Sequence, residues 1–106
     1  VENASYGLTL CAERSALAAA CALATDRADI ATPPHISRLA LACIDADADA
    51  PLGARMPCGA CRQWIAELAP DALISVDGLD ADLTLADLLP NAFELSDRRA
   101  GDSPAR

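Results

Sequence analysis

The sequence predicts a small α/β fold that contains at least two parallel strands. Two short apolar segments with the character of strands alternate with two segments of helical character, in the order helix, strand, helix, strand. A strand connected to the next strand through a helix normally lies parallel to it in the same sheet. The length of 106 residues is that of one domain. We expect residues 1–95 to form this domain and residues 96–106, which have almost no apolar side chains, to form a flexible tail.

The first predicted helix runs from Cys11 to Thr25 and contains neither glycine nor proline. Alanine and leucine dominate it, which favours a helix, and so many apolar residues predict that the helix is mostly buried. The helix is followed by a connector over Ala31–His35, because the adjacent Pro33 and Pro34 are incompatible with regular structure there.

The middle of the chain predicts a strand, a loop and a second helix. The apolar run Ile36–Ile44 is bounded by turn residues and is typical of a buried strand. Asp45–Ala54, in which aspartate and alanine alternate, predicts a solvated acidic loop. The second helix runs from about Gly59 to Leu68 and ends before Pro70.

The last predicted elements are a second strand and a short helix. Leu73–Val76 predicts the strand, and the turn pair Asp77-Gly78 ends it. Thr84 is a candidate N-cap for the helix Leu85–Leu89, which ends at Pro90.

The charge and the hydropathy pattern exclude two classes of partner. The chain carries 16 acidic and 8 basic residues, for a net charge of −8. Nucleic-acid affinity depends largely on basic residues that neutralise phosphates, so we expect no nucleic-acid partner and no anionic membrane surface. The longest strictly apolar run, Ala16–Ala24, is far shorter than the ~20 residues that a membrane-spanning helix needs.

The five cysteines do not suit a closed disulfide framework, because their number is odd and their spacing is irregular. We therefore expect a reducing, cytoplasmic environment. Cys21 and Cys43 lie among apolar residues and are expected to be small buried side chains. The pair Cys58-x-x-Cys61 leaves two interpretations open, metal binding or redox chemistry.

Three cysteines lie at the predicted starts of the two main helices. Cys11 opens the first, and Cys58 and Cys61 lie at the start of the second. The positive end of a helix dipole stabilises thiolate, which is the form that binds Zn²⁺. Cys21 is about 15 Å from Cys11 along the helix axis, and His35 lies beside prolines in a connector, so neither is a good fourth ligand. Three protein ligands and an open position are typical of catalytic zinc.

Charged residues adjoin these cysteines. Glu13, two residues after Cys11, is either a favourable acidic residue in a first helical turn or a carboxylate that takes a proton from metal-bound water. Arg14 and Arg62 are either ordinary surface charges or donors to the thiolates, which would offset the negative charge of the site.

Two motifs carry a resemblance to a known family. Cys11–Arg14 (CAER) and Pro57–Gln63 (PCGACRQ) resemble the zinc motifs of small, homotetrameric cytidine deaminases. Val1–Leu10 (VENASYGLTL) resembles the segment that enters the first motif, and Leu88–Phe93 (LLPNAF) resembles the C-terminal signature. The resemblance covers about residues 1–95, which it identifies as a zinc-binding catalytic domain.

The resemblance implies a three-layer α/β/α sandwich with a central mixed sheet. Family members carry a helix and two strands ahead of Val1, together with an asparagine two residues before the position of Glu2. We therefore expect the sequence to be a fragment of a longer gene product or a shortened variant.

The resemblance also implies a reaction. It is the hydrolytic deamination of cytidine and 2′-deoxycytidine to uridine and 2′-deoxyuridine with release of ammonia, as in pyrimidine salvage. One Zn²⁺ per chain, held by Cys11, Cys58 and Cys61, would activate water. Glu13 would take the proton of that water and deliver protons to the base and to the departing amino group.

Substrate contacts follow by the same resemblance. Glu2 would bind a ribose hydroxyl, and backbone groups near Ala12 and Pro57 would hold the pyrimidine edge. A homotetramer with shared active sites is implied, in which three further residues line the pocket or serve a neighbouring site: Ala4, Tyr6 and Phe93. Ordinary packing is an equally good explanation for the two aromatic residues.

Other functions stay open at this point. One is a deaminase of another aminopyrimidine nucleoside, such as a nucleoside antibiotic. A second is a non-catalytic structural zinc module, and a third is a redox pair at Cys58 and Cys61. Polynucleotide editing is disfavoured by the acidic charge and by the shortage of aromatic residues for stacking.

Overall fold

The computed structural model describes residues 1–24 and 34–94. The elements follow the predicted order, and two single 3₁₀ turns accompany them. In chain order they are the turn Tyr6–Leu8, α1 (Ala12–Leu23), β1 (Arg38–Leu41), the turn Leu52–Ala54, α2 (Gly59–Leu68), β2 (Leu73–Val76) and α3 (Leu85–Leu88). The predicted tail and the first part of the predicted connector lie outside the described residues.

β1 and β2 form a parallel pair, as the sequence predicts. Arg38 lies opposite Leu73, and Leu41 lies opposite Val76. β2 has its predicted bounds, whereas β1 is shorter than the predicted Ile36–Ile44. The pairing ends where β2 ends, and Ile44 is consequently 92% exposed in the loop beyond the sheet.

A glycine turn after β2 adds antiparallel pairing to this small sheet. Gly78 has a φ of +95°, which only glycine adopts without strain, and the N–H of Leu79 donates to the carbonyl of Val76. The chain then returns beside β2, where Ile74 and Leu83 exchange two backbone hydrogen bonds of 2.8 Å. The α/β fold class is confirmed.

The core lies between α2, the sheet and the two other helices. α2 packs against both α1 and α3, and it ends at Leu68 as predicted. The buried apolar cluster combines residues of every main element and of the loop after α2: Leu17, Leu39, Ile65, Ala69, Ala72, Ile74, Val76 and Leu88. α2 is therefore the element that joins the layers.

α1 differs from its expected burial. Only Leu17 of this helix is buried, and Leu23 at its end is 78% exposed. The prediction of a mostly buried helix was wrong for the described chain, because its apolar residues surround the helix while α2 covers one side.

Cys43 is exposed, contrary to prediction, because it lies beyond the end of β1, and Cys21 is only partly buried.

α3 begins at its predicted cap. The N–H of Asp87 donates to the hydroxyl of Thr84, and the N–H of Thr84 donates to the carboxylate of Asp87 at 2.8 Å. The helix ends at Leu88, one residue earlier than predicted, before Pro90.

Within the described ranges, no helix combines the length and hydrophobicity that a bilayer crossing requires.

Candidate metal centre

The starts of α1 and α2 bring three cysteines together. Cys11 and Cys58 are the N-cap residues of the two helices, and both have extended backbone conformations. Cys61, the third residue of α2, is fully buried. Because α1 packs against α2, residues 47 positions apart in the sequence become neighbours.

The three sulfur atoms have the spacing of ligands on one metal ion. The Sγ atoms of Cys11 and Cys58 are 3.9 Å apart, and those of Cys58 and Cys61 are 3.4 Å apart. All three lie within 4.8 Å of one another. Tetrahedral zinc with Zn–S bonds of about 2.3 Å places two sulfurs about 3.8 Å apart. The cluster therefore fits a thiophilic cation such as Zn²⁺.

The pKa values of two of these thiols are shifted in opposite directions. Hydrogen bonding from the backbone N–H of Cys61 is the main cause that lowers the pKa of Cys58. Burial is the main cause that raises the pKa of Cys61 to about 12, and hydrogen bonds to the other two sulfurs and the charge of Glu13 add to it. Burial disfavours a thiolate at Cys61 in the absence of a cation, and a divalent cation bound at the cluster would stabilise it.

Arg14 lies beside the cluster. Its Nη2 is 3.5 Å from the Sγ of Cys11 and 3.3 Å from the carbonyl oxygen of Thr9. The hydrogen bond to Cys11 is the main cause that raises the pKa of Arg14. The Nε of Arg14 is buried and has no hydrogen-bond partner among the described residues. Arg14 thus places its positive charge on a candidate ligand.

Arg62 has different contacts from those expected. Its Nε donates to the carbonyl of Pro57 at 2.9 Å, and its Nη1 donates to the carbonyl of Leu88 at 2.7 Å. These are backbone oxygens, so Arg62 acts on the chain around Cys58 and not on a sulfur atom.

Glu13 is the second residue of α1 and is half-buried. Burial is the main cause that raises the pKa of Cys61, and the negative charge of Glu13 is a smaller cause. Ala12, the first residue of α1, is exposed, and Pro57 is buried directly before Cys58. Cys21, Cys43 and His35 lie outside the cysteine group.

The first ten residues form a concave surface. A cavity of about 520 Å³ is lined there by three predicted site residues and two others: Glu2, Ala4, Tyr6, Asn3 and Thr9. Tyr6 is 89% exposed. Phe93 is also exposed and does not line this cavity within the described chain, so its place at a site stays a prediction.

Sequence reasoning missed Asn3, Thr9 and Gln63. The side-chain oxygen of Asn3 accepts from the backbone N–H of Ser5 at 2.8 Å. The backbone N–H of Asn3 donates to the hydroxyl of Thr9 at 3.2 Å. The Asn-x-Ser spacing is a local signal for this turn. Gln63 donates to the carbonyl of Phe93 at 3.0 Å, a contact that no local pattern predicts.

Comparison with known proteins identifies the family. No protein-family model matches the chain. Curated relatives named cytidine deaminase do match: the chain is 43% identical to that of Halalkalibacterium halodurans over 101 residues and 42% identical to that of Mycobacterium tuberculosis over 97 residues. The protein of that name from Sporosarcina psychrophila is 38% identical over 101 residues. Each match covers 92% of this chain. The chain belongs to the cytidine deaminase family.

The chain spans 66%, 62% and 64% of the lengths of these three cytidine deaminases, in the order given. The shared region includes most of the described chain and therefore the elements that form the cysteine cluster. Membership of the cytidine deaminase family thus agrees with the grouping of three cysteine sulfur atoms that could hold a metal ion.

Proposed function

We propose that the chain binds one Zn²⁺ and carries the site for hydrolytic deamination of cytidine and 2′-deoxycytidine. The products are uridine or 2′-deoxyuridine and ammonia, which suits a role in pyrimidine salvage. The observation that carries the proposal is the group of three cysteine sulfurs within 4.8 Å of one another, with the charge of Glu13 acting on it. The names of the relatives support the choice of reaction.

Cys11, Cys58 and Cys61 are the proposed zinc ligands. Zinc held by three protein ligands supplies a Lewis acid that makes water nucleophilic near neutral pH. Backbone hydrogen bonding at the start of α2 favours the thiolate form of Cys58, which such binding needs. Arg14 donates to one of these sulfurs and reduces the excess negative charge of a three-thiolate site.

Glu13 is the proposed proton carrier. Its carboxylate accepts the proton of the attacking water and then delivers protons to N3 of the pyrimidine and to the departing amino nitrogen. Its place on the first turn of α1, directly after Cys11 and Ala12, supports this assignment. The residue is held by the helix that supplies a ligand, so carboxylate and metal keep a fixed relation.

The proposed substrate contacts lie in the N-terminal segment. Glu2 binds a ribose hydroxyl, while Ala4 and Tyr6 line the pocket and backbone groups near Ala12 and Pro57 hold the pyrimidine edge. The cavity that Glu2, Ala4 and Tyr6 share supports the grouping. The contacts of Arg14 support a position of this cavity near the metal. The Arg14 side chain touches both the carbonyl of Thr9, which lines the cavity, and the sulfur of Cys11 in the cluster.

We also propose a homotetramer with shared sites. Apolar side chains that are at least 67% exposed in the single chain support association, because contact between subunits would remove them from water. They are Val1, Tyr6, Leu8, Leu23, Ile44 and Phe93. In this proposal Phe93 serves a neighbouring site.

The proposed thiolate ligands imply a reducing, cytoplasmic environment.

A redox function is the alternative that a specific observation favours. The sulfurs of Cys58 and Cys61 are 3.4 Å apart, and the pKa of one is lowered while that of the other is raised. Such a difference is typical of a reactive thiol pair. The third sulfur, of Cys11, favours metal binding, because a dithiol exchange needs only two.

The test joins metal analysis with an ultraviolet assay on cytidine. We expect about one zinc per chain in the wild type and in Glu13→Ala, because Glu13 is not a ligand. Turnover in Glu13→Ala should fall by about 10²-fold or more, as for loss of a general acid–base. Glu67→Ala, which changes an exposed glutamate of α2, is the matched control and should keep the wild-type rate.

Two results would overturn the proposal. One is wild-type protein, purified under reducing conditions, that contains no zinc and takes none up. The other is an equal rate of deamination in the wild type and in Glu13→Ala. A disulfide between Cys58 and Cys61 that forms in air, together with absence of metal, would favour the redox alternative.

A further inference from the structure

Arg62 connects two distant parts of the chain. Its Nε donates to the carbonyl of Pro57 at 2.9 Å, and its Nη1 donates to the carbonyl of Leu88 at 2.7 Å. Pro57 and Leu88 are both buried, so both carbonyls belong to well-packed residues. The guanidinium therefore ties the chain before α2 to the end of α3.

Both peptide groups of Cys58 are hydrogen-bonded, one by the ordinary backbone bond of α2 and the other by the side chain of Arg62. The backbone N–H of Arg62 donates to the carbonyl of Cys58 at 3.0 Å, and its side chain holds the carbonyl of Pro57, the residue before. Two fixed peptide groups determine the direction of the Cα–Cβ bond between them. Arg62 thereby restricts the backbone around Cys58 and the direction of its Cβ atom, and its side chain donates to backbone oxygens.

The other side of the contact is a defined stretch of chain, Leu88–Phe93, here termed the 88–93 segment. Leu88 is the last residue of α3, where carbonyls lack helical partners, and Arg62 supplies one. The next residue, Gln63, donates to the carbonyl of Phe93 at 3.0 Å. Adjacent side chains of α2 therefore hold the two ends of the segment.

We propose that Arg62 is a positioning residue that couples the metal centre to the 88–93 segment. The inference rests on the proposed function only in that the cluster binds zinc. Because the coupling is a binding free energy, it acts in both directions. The segment stabilises the arrangement of Cys58 that binds metal, and bound metal stabilises the seating of the segment.

The test uses Arg62→Gln and Arg62→Lys in the full 106-residue chain, with Arg38→Gln as the matched control. Arg38 is an exposed arginine on β1 whose side chain bonds Ser75 and Asp82. Zinc affinity is measured by competition with a chelator. We expect Arg62→Gln to bind zinc about 10- to 100-fold more weakly, as for loss of other groups that orient ligands, and Arg38→Gln to match the wild type.

Two further measurements separate positioning from general stability. The spectrum of the Co²⁺-loaded protein reports the sulfur ligand geometry, and we expect it to shift in Arg62→Gln only. Hydrogen exchange of residues 85–94 should slow on addition of zinc in the wild type and in Arg38→Gln, and should respond to zinc less in Arg62→Gln. Arg62→Lys keeps the charge but lacks the two-pronged geometry, so an intermediate response is expected.

Two outcomes in Arg62→Gln would overturn the coupling. One is a zinc affinity and a cobalt spectrum in Arg62→Gln that equal those of the wild type. The other is equal zinc-dependent protection of the 88–93 segment in Arg62→Gln and in the wild type. If Arg62→Gln fails to fold, Arg62→Lys decides by the same criteria. Wild-type protein that binds zinc and shows the coupling but does not deaminate cytidine overturns the proposed function alone. Wild-type protein that binds no zinc overturns both.

Discussion

The guanidinium of Arg14 donates a hydrogen bond to the sulfur of Cys11 over a distance of 3.5 Å. The same Nη2 atom lies 3.3 Å from the carbonyl of Thr9, which lines the N-terminal cavity. One nitrogen atom therefore joins the candidate metal centre to the candidate substrate cavity. The same side chain therefore contacts both a candidate sulfur ligand and the N-terminal segment.

Arg14→Gln should weaken zinc binding by about 10- to 100-fold, because the variant removes the positive charge that a three-thiolate site needs beside it. Chelator competition measures the affinity. Arg14→Lys keeps the charge and should recover part of the loss. Unchanged affinity in Arg14→Gln would show that this charge does not act on the metal.

The stability of the metal-free protein should fall as the pH rises above the ordinary thiol pKa of about 8.5. The pKa of Cys61 is raised to about 12 in the folded chain, above the value of about 8.5 of an ordinary thiol. The unfolded chain releases this proton first, so stabilisation is complete below about pH 8.5 and is lost as the pH rises towards 12. Urea unfolding with a chelator and a reductant, at neutral pH and at about pH 10, measures the change.

Cys61→Ala is the control for this pH dependence, because it removes the group that titrates. The variant should lose part of the slope between neutral pH and about pH 10. An identical slope in both proteins would assign the pH dependence to other groups.

Truncation of Ile65 should destabilise the chain strongly. This side chain of α2 is 0% exposed and belongs to the buried cluster. Ile65→Ala should lower the free energy of unfolding by about 2–5 kcal/mol, and Ile65→Val by only about 0.5–1.5 kcal/mol. Thermal and urea unfolding measure both. A loss in Ile65→Ala no greater than in Ile65→Val would contradict the central position of α2.

Removal of the cap of α3 should have a smaller effect. Thr84→Ala removes the oxygen that accepts from the N–H of Asp87 and should cost about 1 kcal/mol in unfolding free energy. Thr84→Ser keeps a capping oxygen and should stay close to the wild type. Equal stability of Thr84→Ala and Thr84→Ser in urea unfolding would mean that the cap contributes nothing.

Local signals predicted most of the elements. The bounds of α2 and β2 follow from Pro70, from the Asp77-Gly78 turn and from short apolar runs, all of which act within a few residues. The length of β1 did not follow in this way. A strand ends where its partner ends, and the turn that ends β2 lies more than 30 residues after β1 in the sequence.

The candidate site was predictable where its residues lie in compact motifs. The spacing of Cys58 and Cys61, and the placing of Cys11 at a helix start, indicate metal ligands because a helix N-terminus favours thiolate. The contacts of Arg62 with Leu88 and of Gln63 with Phe93 were not predictable. In each contact a side chain of α2 donates to a backbone oxygen that lies 26 or 30 residues away in the sequence. Every residue type has such an oxygen, so no sequence pattern marks the partner.

The sequence by itself determined the α/β order, the parallel strands, the acidic character and the cysteines that form the candidate metal centre, because propensity, turn chemistry and motif spacing are local properties. Only the tertiary structure decided that α1 buries Leu17 alone, that Cys43 is exposed, and that Arg14 contacts a sulfur while Arg62 holds two carbonyls. Burial and hydrogen-bond partners depend on which surfaces meet when the helices pack. That choice is made by the whole chain and not by any one segment.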